Sequence, residues 1–583
     1  MIFNYFRKID WILLAVTLVL VYIQVWLELE IPGYMTEITN IMITGGSSDE
    51  VMEQGMWMLG CALGSLILAV IVGLFIANMG TNMGKTMRER QFNQVEKYSA
   101  AEINKFSIYS LITRSTNDVN QVQMAFILGL MVAIRAPMMA ILAIMKISTK
   151  NIGWVEITIV CVLVMLVCIG IILWYTFPRF KRIQWMNDDV NRITKEGLSG
   201  IRVVHAYNAE DYQEAKFKEA NDQLTDTHVA VTRALAFLMP VIMTIMSVLS
   251  LAIYWMGAII ISGEENMFER FLAFSDMIVF SSYAMQVIAA FMMLIIVFMI
   301  LPRALVAAKR IDEVIRTEPT VLDGGVRESS PEMEGRISFR NVSFAYPGAA
   351  QDSLTDISFD VDKGETVAII GSTGSGKSTL VKLIPRFYDV TGGQITVDGV
   401  DVKDYDQDFL HRKIGYVPQK AVMFNGTVTS NVNYGDTETE RSEEEVRKAI
   451  AIAQGTEFVE KMEGQYDGKV AEGGTNLSGG QKQRLSIARA ICRRPEIYIF
   501  DDSFSALDYK TDHILRSQLK KETSGVTTII VAQRIGTIKD ADKIIVLDEG
   551  RVVGIGKHHD LLKDCEVYYQ IATSQLSEEE LVR

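Results

Sequence analysis

Gly371-Ser372-Thr373-Gly374-Ser375-Gly376-Lys377-Ser378-Thr379 decides how the second half of this chain is read. The apolar run 367–370 before it reads as a buried strand, and residues 380–387 after it read as a helix. Strand, glycine-rich loop and helix in that order make a phosphate cradle. The glycines let successive backbone N–H groups turn toward the β-phosphate of a nucleotide, and the helix adds its positive end. The spacing assigns Lys377 to the β/γ-phosphates and the Ser378 hydroxyl to Mg²⁺.

Working outward, Ile497–Asp501 is an apolar strand that ends in a carboxylate. Asp501 there is expected to hold the Mg²⁺ shell, and the next residue, Asp502, is the candidate general base for a water attacking the γ-phosphate. Ile414–Val417 reads as a short strand running into Pro418 and Gln419. A Gln at that position reaches Mg²⁺ or its water, so Ser378, Gln419 and Asp501 form the expected metal set. Residues 337–345 and Leu354–Val361 alternate like strands around Tyr346-Pro347-Gly348, and Tyr346 is the candidate to stack on adenine. Residues 528–532 read as another buried strand, ending at Gln533, and residues 442–463 as an amphipathic helical stretch.

Leu477-Ser478-Gly479-Gly480-Gln481 precedes a strong helical stretch, 482–493. Free N–H groups and the helix dipole favour an anion at that start. One domain rarely surrounds a single phosphate with two such ends. Two domains arranged head-to-tail do, each offering this end to the other's loop, which predicts a dimer of ATP-binding domains that closes on nucleotide. The turn Ser505-Ala506-Leu507-Asp508 is placed to carry signals across it.

The chain has 583 residues, too many for one core. A net charge of −13 argues against a nucleic-acid surface. Mean hydropathy is positive, and the excess lies before about residue 305. The five cysteines show no CxxC spacing, so neither a metal site nor a disulfide framework is indicated. Six apolar runs, 11–29, 56–77, 126–147, 154–177, 240–261 and 277–300, meet the length of about 20 residues that a bilayer requires. The first lacks a small-residue cleavage site, so it is not read as a cleaved signal peptide. Lys and Arg crowd the N-terminus and the two long loops between spans two and three and spans four and five; the other side has only Lys146, Lys150 and Arg270. The N-terminus, those loops and the C-terminal domain are therefore placed in the cytoplasm, where the phosphate cradle meets ATP.

Both long loops read as membrane helices continuing into the cytoplasm and turning at short helices near 112–118 and 203–210. Gln24, Arg135, Glu156 and Gln286 are the polar residues read inside the spans. Arg135 is either a cavity residue or half of a structural pair, and Pro137 is expected to kink its helix. Methionines such as Met131, Met139 and Met243 suggest a cavity tolerant of several apolar ligands. The expected organisation is an all-α transmembrane domain of six helices with long cytoplasmic extensions, residues 1–314. A linker, 315–334, and an α/β P-loop nucleotide-binding domain, 335–583, follow.

On these motifs the chain resembles a half-transporter of the ATP-binding cassette exporter superfamily, and the resemblance covers essentially its whole length. It implies ATP and Mg²⁺ as ligands and an inner-membrane location. It matches Tyr346 to the adenine-stacking aromatic, Gly371 to Thr379 to the Walker A motif and Gln419 to the Q-loop. Leu477 to Gln481 match the signature motif, with Ser478 and Gly480 acting in the site they complete, Asp501 the Walker B aspartate, and Ser505 to Asp508 the D-loop. Residues 112–118 and 203–210 resemble the coupling helices.

Two positions depart from the pattern. Asp502 stands where the family has Glu, and Gln533 where it has the switch histidine. Asp is one methylene shorter than Glu, and a general base must come within about 2.6–3.2 Å of its proton. Gln donates a hydrogen bond but cannot titrate. With an intact signature motif, this resembles one subunit of the bacterial heterodimeric exporters, many of them multidrug pumps. It implies a degenerate site on this chain's Walker motifs and a partner carrying Glu and His. The competing readings are a homodimeric, slowly hydrolysing exporter of lipids or peptides, and an ATP-gated, channel-like protein.

Overall fold

The computed structural model describes residues 5–148, 152–435 and 441–576; Lys150 lies outside them. Two compact units emerge, Met1–Phe92 with Ile112–Arg316, and Asn93–Leu111 with Thr317–Arg583.

The first unit is helical. Among the described residues, six helices are long and apolar enough to cross a membrane: Lys8–Ile43, Ser48–Val95, Ile108–Ser148, Ile152–Ser199, Glu210–Gly263 and Met267–Arg316. Each contains one of the six expected spans. At 36 to 54 residues they exceed what hydrocarbon needs, so their polar ends continue beyond it. The third helix runs through Pro137 without interruption.

Arg135 is paired: its Nη2 lies 2.9 Å from both carboxylate oxygens of Glu28. Glu28 Oε1 also accepts from Ser65 Oγ at 3.0 Å and Gln24 Nε2 at 3.3 Å, which joins the first three helices. Lys146 Nζ makes a second pair with Glu30 at 2.7 Å. Met139 is buried, whereas Met131 and Met243 are exposed, and Met79, Met83 and Met87 fill the core from one face of the second helix.

One of the two short cytoplasmic helices is displaced from where it is expected. Residues 112–118 belong to the start of the third long helix, partly as a π-helical turn, Arg114–Asp118. The separate short helix is Ala100–Phe106, started by a capping box in which Ser99 and Glu102 satisfy each other's backbone N–H groups. Its counterpart in the second loop is Ile201–Ala206.

The second unit is built on a six-stranded sheet. Its order is Arg551–Gly556, Lys543–Asp548, Thr366–Gly371, Thr527–Val531, Ile497–Asp501 and Ile414–Val417. All neighbours are parallel except the first pair. The parallel strands are near-continuous Val/Ile runs, as strands buried on both faces must be. A four-stranded sheet contains the antiparallel strands Ile337–Phe344 and Leu354–Val361 beside Gly392–Val397. The stretch 442–463 divides into Glu443–Ile452 and Thr456–Glu460. Gln454 takes a left-handed φ of 57°, and Gly455 N–H returns to Ile450 C=O at 2.8 Å, which ends the first helix.

Candidate functional site

In a parallel sheet the carboxyl ends of the strands open on one edge, where ligands bind. Here four adjacent strands end there in Gly371, Val417, Asp501 and Val531. The pairings Val531 with Ile369, Val531 with Asp501 and Val417 with Phe500 keep those ends level. The loops leaving them therefore bring the phosphate loop, Gln419, Asp501-Asp502 and Gln533 to one place.

The phosphate loop lies between Thr366–Gly371 and the helix Lys377–Leu383. Gly376 has a φ of 94°, and a Cβ there would meet Leu354 Cδ2 at 2.7 Å. A Cβ on Gly371 would lie 2.0 Å from Leu547 C=O. Both positions demand glycine. Lys377 is buried, and its Nζ donates to the carbonyls of Gly371 at 2.8 Å and Ser372 at 2.6 Å. Burial lowers its pKa, against the upward pull of Asp502 and Asp501.

Ser378 Oγ donates to Asp501 Oδ1 at 2.6 Å. A hydroxyl and a carboxylate in contact, beside a loop shaped for phosphate, are the hard oxygen donors that suit Mg²⁺. Tyr416 Oη holds the other oxygen, Asp501 Oδ2, at 3.2 Å. Gln419, expected beside Ser378 and Asp501, instead turns its amide to Asp502 Oδ2 at 3.1 Å.

Asp502 is buried and holds a left-handed φ of 48°, with its N–H bonded to Val531 C=O at 3.0 Å. Gln533 Nε2 donates to the same Oδ2 at 2.9 Å, so the two residues that depart from the family pattern touch each other. Burial pushes the Asp502 carboxyl up; the Gln419 hydrogen bond opposes this, Asp501 adds to it and Lys377 opposes it.

Tyr346 is half-buried beside this loop. Its Oη lies 3.0 Å from Thr379 Oγ1, and its ring meets Phe344 and Tyr388 edge-on at 4.9 and 5.3 Å. Ser478 caps the helix Gly479–Arg493 in a reciprocal box with Gln481. Ser478 and Gly479 are exposed and Gly480 half-buried, so that helix start faces solvent. Buried Gln483, one turn along, donates to Pro418 C=O at 3.1 Å and ties this helix to the Gln419 loop.

Three contributors escaped sequence reasoning. Tyr416 lies in an apolar strand, where its hydroxyl was the available signal. Buried Ser503 anchors the loop after Asp502 through Val417 C=O at 3.0 Å. Glu28, near the end of the first span, is the carboxylate that Arg135 required.

Residues 354–505 match the family ABC transporter, and residues 14–304 match ABC transporter transmembrane region. An uncharacterized ABC transporter ATP-binding protein of Mycobacterium tuberculosis is 36% identical over 97% of this chain and 96% of its own length. An ATP-dependent lipid A-core flippase of Pseudomonas fluorescens is 33% identical over 85% of this chain and 81% of its own. A solved bacterial Atm1-family ABC exporter with ATP bound superposes with a TM-score of 0.81 at 25% identity, covering 97% of this chain and 99% of that one.

These matches overturn the expectation of a degenerate-site subunit in a heterodimeric drug exporter, and with it the partner bearing Glu and His. Relatives named for an activity include lipid A-core flippases, and a structural neighbour is an Atm1-family exporter. In the site itself, Asp502 and Gln533 are hydrogen-bonded to each other. The six-helix region makes this a multi-pass inner-membrane protein, and its nucleotide-binding domain is cytoplasmic. With both of its parts matched, the chain belongs to the ABC transporter family and is an ATP-hydrolysing translocase.

Proposed function

We propose that this protein is an exporter that works as a pair of identical chains and moves an amphipathic, lipid-like molecule across the membrane. The observation that carries the pairing is the presence in one domain of two phosphate-ready ends. One is the loop Gly371 to Thr379; the other is the solvent-facing helix start at Ser478. The flippase relatives support the substrate class.

In this reading Tyr346 stacks on adenine, and the N–H groups of residues 371–379 hold the phosphates with Lys377. Ser378 and Asp501 would hold Mg²⁺, with Gln419 reaching its water, and the ion would neutralise charge on the phosphates. Asp502 takes a proton from the attacking water while Gln419 and Gln533 fix its Oδ2. Ser478, Gly479, Gly480 and Gln481 of one copy face the γ-phosphate on the other. The functional domains run 1–314 and 335–583, with 315–334 as a linker. Catalysis of this kind is positioning plus electrostatic stabilisation of phosphoryl transfer.

The test is the purified chain alone, reconstituted in phospholipid vesicles. ATP turnover and movement of a fluorescent phospholipid between leaflets are expected, and Lys377→Ala should abolish both. An inactive chain that regains turnover only beside a different half-transporter would overturn the identical-pair reading.

A further inference from the structure

The helix Ala100–Phe106 lies, along the chain, between two membrane helices, yet it folds as part of the nucleotide-binding unit. Ala100 and Ala101 pack against the core of that unit. Glu102 Oε1 accepts from Thr320 N–H at 3.3 Å, and Ser99 Oγ lies 3.1 Å from Thr320 Oγ1. One residue of this helix reaches further. Asn104 Nδ2 donates to Tyr388 Oη at 3.3 Å.

Tyr388 is buried in the turn that follows the phosphate-loop helix. Its ring stands at 87° to that of Tyr346, centroids 5.3 Å apart, and Phe344 closes the triangle at 5.5 and 4.9 Å. Tyr346 in turn touches Thr379. The neighbouring residue, Phe387, meets Tyr416 edge-on at 5.3 Å, and Tyr416 donates to Asp501. The turn therefore abuts the aromatic beside the loop through Tyr388 and, through Phe387, the tyrosine that holds the carboxylate at the metal end.

Edge-to-face aromatic contacts fix ring orientation as well as burying area. Tyr346 has two such contacts, and one is made by a ring whose hydroxyl is held from outside the site. We infer that Tyr388 is a positioning residue for Tyr346, and that the Asn104–Tyr388 hydrogen bond makes adenine affinity depend on the seating of the helix Ala100–Phe106. Coupling of this kind is reciprocal, so adenine stacking on Tyr346 also holds Asn104 in place. The inference rests on the assignment of Tyr346 to adenine made above.

The experiment is a double-mutant cycle in the full-length protein in phospholipid vesicles, with Asn104→Ala and Tyr346→Leu made singly and together. KM for ATP and kcat are measured, as is the inhibition constant of inorganic tripolyphosphate, which has the phosphates and no base. Tyr346→Leu alone should raise KM about tenfold, the scale of one lost base stack. Asn104→Ala alone should raise KM roughly threefold, the scale of one hydrogen bond. Its kcat and tripolyphosphate inhibition should stay within twofold of the unaltered protein. In the Tyr346→Leu background, Asn104→Ala should then have no further effect on KM. Tyr388→Phe, which keeps the ring and loses the hydroxyl, should reproduce Asn104→Ala.

A Tyr346→Leu protein with unchanged KM would overturn the adenine assignment and this inference with it. A raised KM there, with Asn104→Ala either silent alone or fully additive, would overturn this inference and leave the assignment standing. Weakened tripolyphosphate inhibition in Asn104→Ala would also overturn it, because the change would then reach the phosphates without passing through Tyr346.

Discussion

Asp502 shows how far a side chain's identity determines its chemistry. The sequence supports a short carboxylate at the position of the general base, and chain length alone argues for a poor one. The structure adds two amides on a single oxygen, a left-handed backbone and burial, none of which a residue type carries. The raised Asp502 pKa has a consequence of definite sign. A carboxyl whose folded value lies above its unfolded value of about 3.9 is penalised when ionised. That penalty is fully present above the folded pKa and is lost as pH falls through the unfolded one. Asp502→Asn keeps the shape and removes the charge. It should raise the melting temperature of the protein at pH 7, and the gain should vanish near pH 4, as scanning calorimetry at the two values would read. ATP turnover should fall by about 10² or more, the contribution of a general base. Tyr416→Phe removes one hydrogen bond from Asp501. It should raise the Mg²⁺ concentration for half-maximal turnover by roughly five-fold, the scale of about 1 kcal/mol, with kcat little changed in a Mg²⁺ titration at saturating ATP.

Elements were legible where periodicity and caps agreed. Leu354–Val361, Ile414–Val417 and Ile497–Asp501 stand with the ends the sequence indicates, because apolar runs bounded by turn residues leave little choice. The short cytoplasmic helix was misplaced because the inward face of the helix before it passes from Met79, Met83 and Met87 to Gln91, so the apolar period fades before the helix ends at Val95. Ser99-Ala100-Ala101-Glu102 carried the missing signal, a Ser followed three residues later by Glu. The same grammar recurs at Ser478 and Gln481, where it has a second meaning. Ser478→Ala should remove the cap and lower stability by about 1 kcal/mol, measured by denaturant unfolding of the detergent-solubilised protein. It should also reduce ATP turnover by more than that loss of stability accounts for, since the same hydroxyl is proposed to face nucleotide. Turnover that falls only in step with the unfolded fraction would assign Ser478 to structure alone.

At the scale of the whole molecule, six apolar spans and an α/β P-loop domain were open to reading from composition and motif. The contacts that hold the spans together were not, because hydrocarbon-facing and core-facing Leu and Ile look alike. Arg135 called for a counter-charge, and the fold supplies Glu28 from another helix, with Ser65 and Gln24 on the same carboxylate. Breaking a pair in this setting costs more than the pair contributes, because the partner left behind keeps its charge away from water. Both side chains retain about a quarter of their exposure, 24% and 22%, which tempers the effect. Glu28→Gln should therefore destabilise the membrane region by roughly 2 kcal/mol, below the 3–5 kcal/mol of a fully buried pair. Removing both charges, with Glu28→Gln and Arg135→Gln together, should restore part of that loss, since no orphan charge remains. Thermal unfolding of the three variants in one detergent reads the comparison. A double variant less stable than either single one would mean that each side chain contributes through contacts outside the pair, as Glu28 does with Ser65 and Gln24, rather than chiefly by silencing the other's charge.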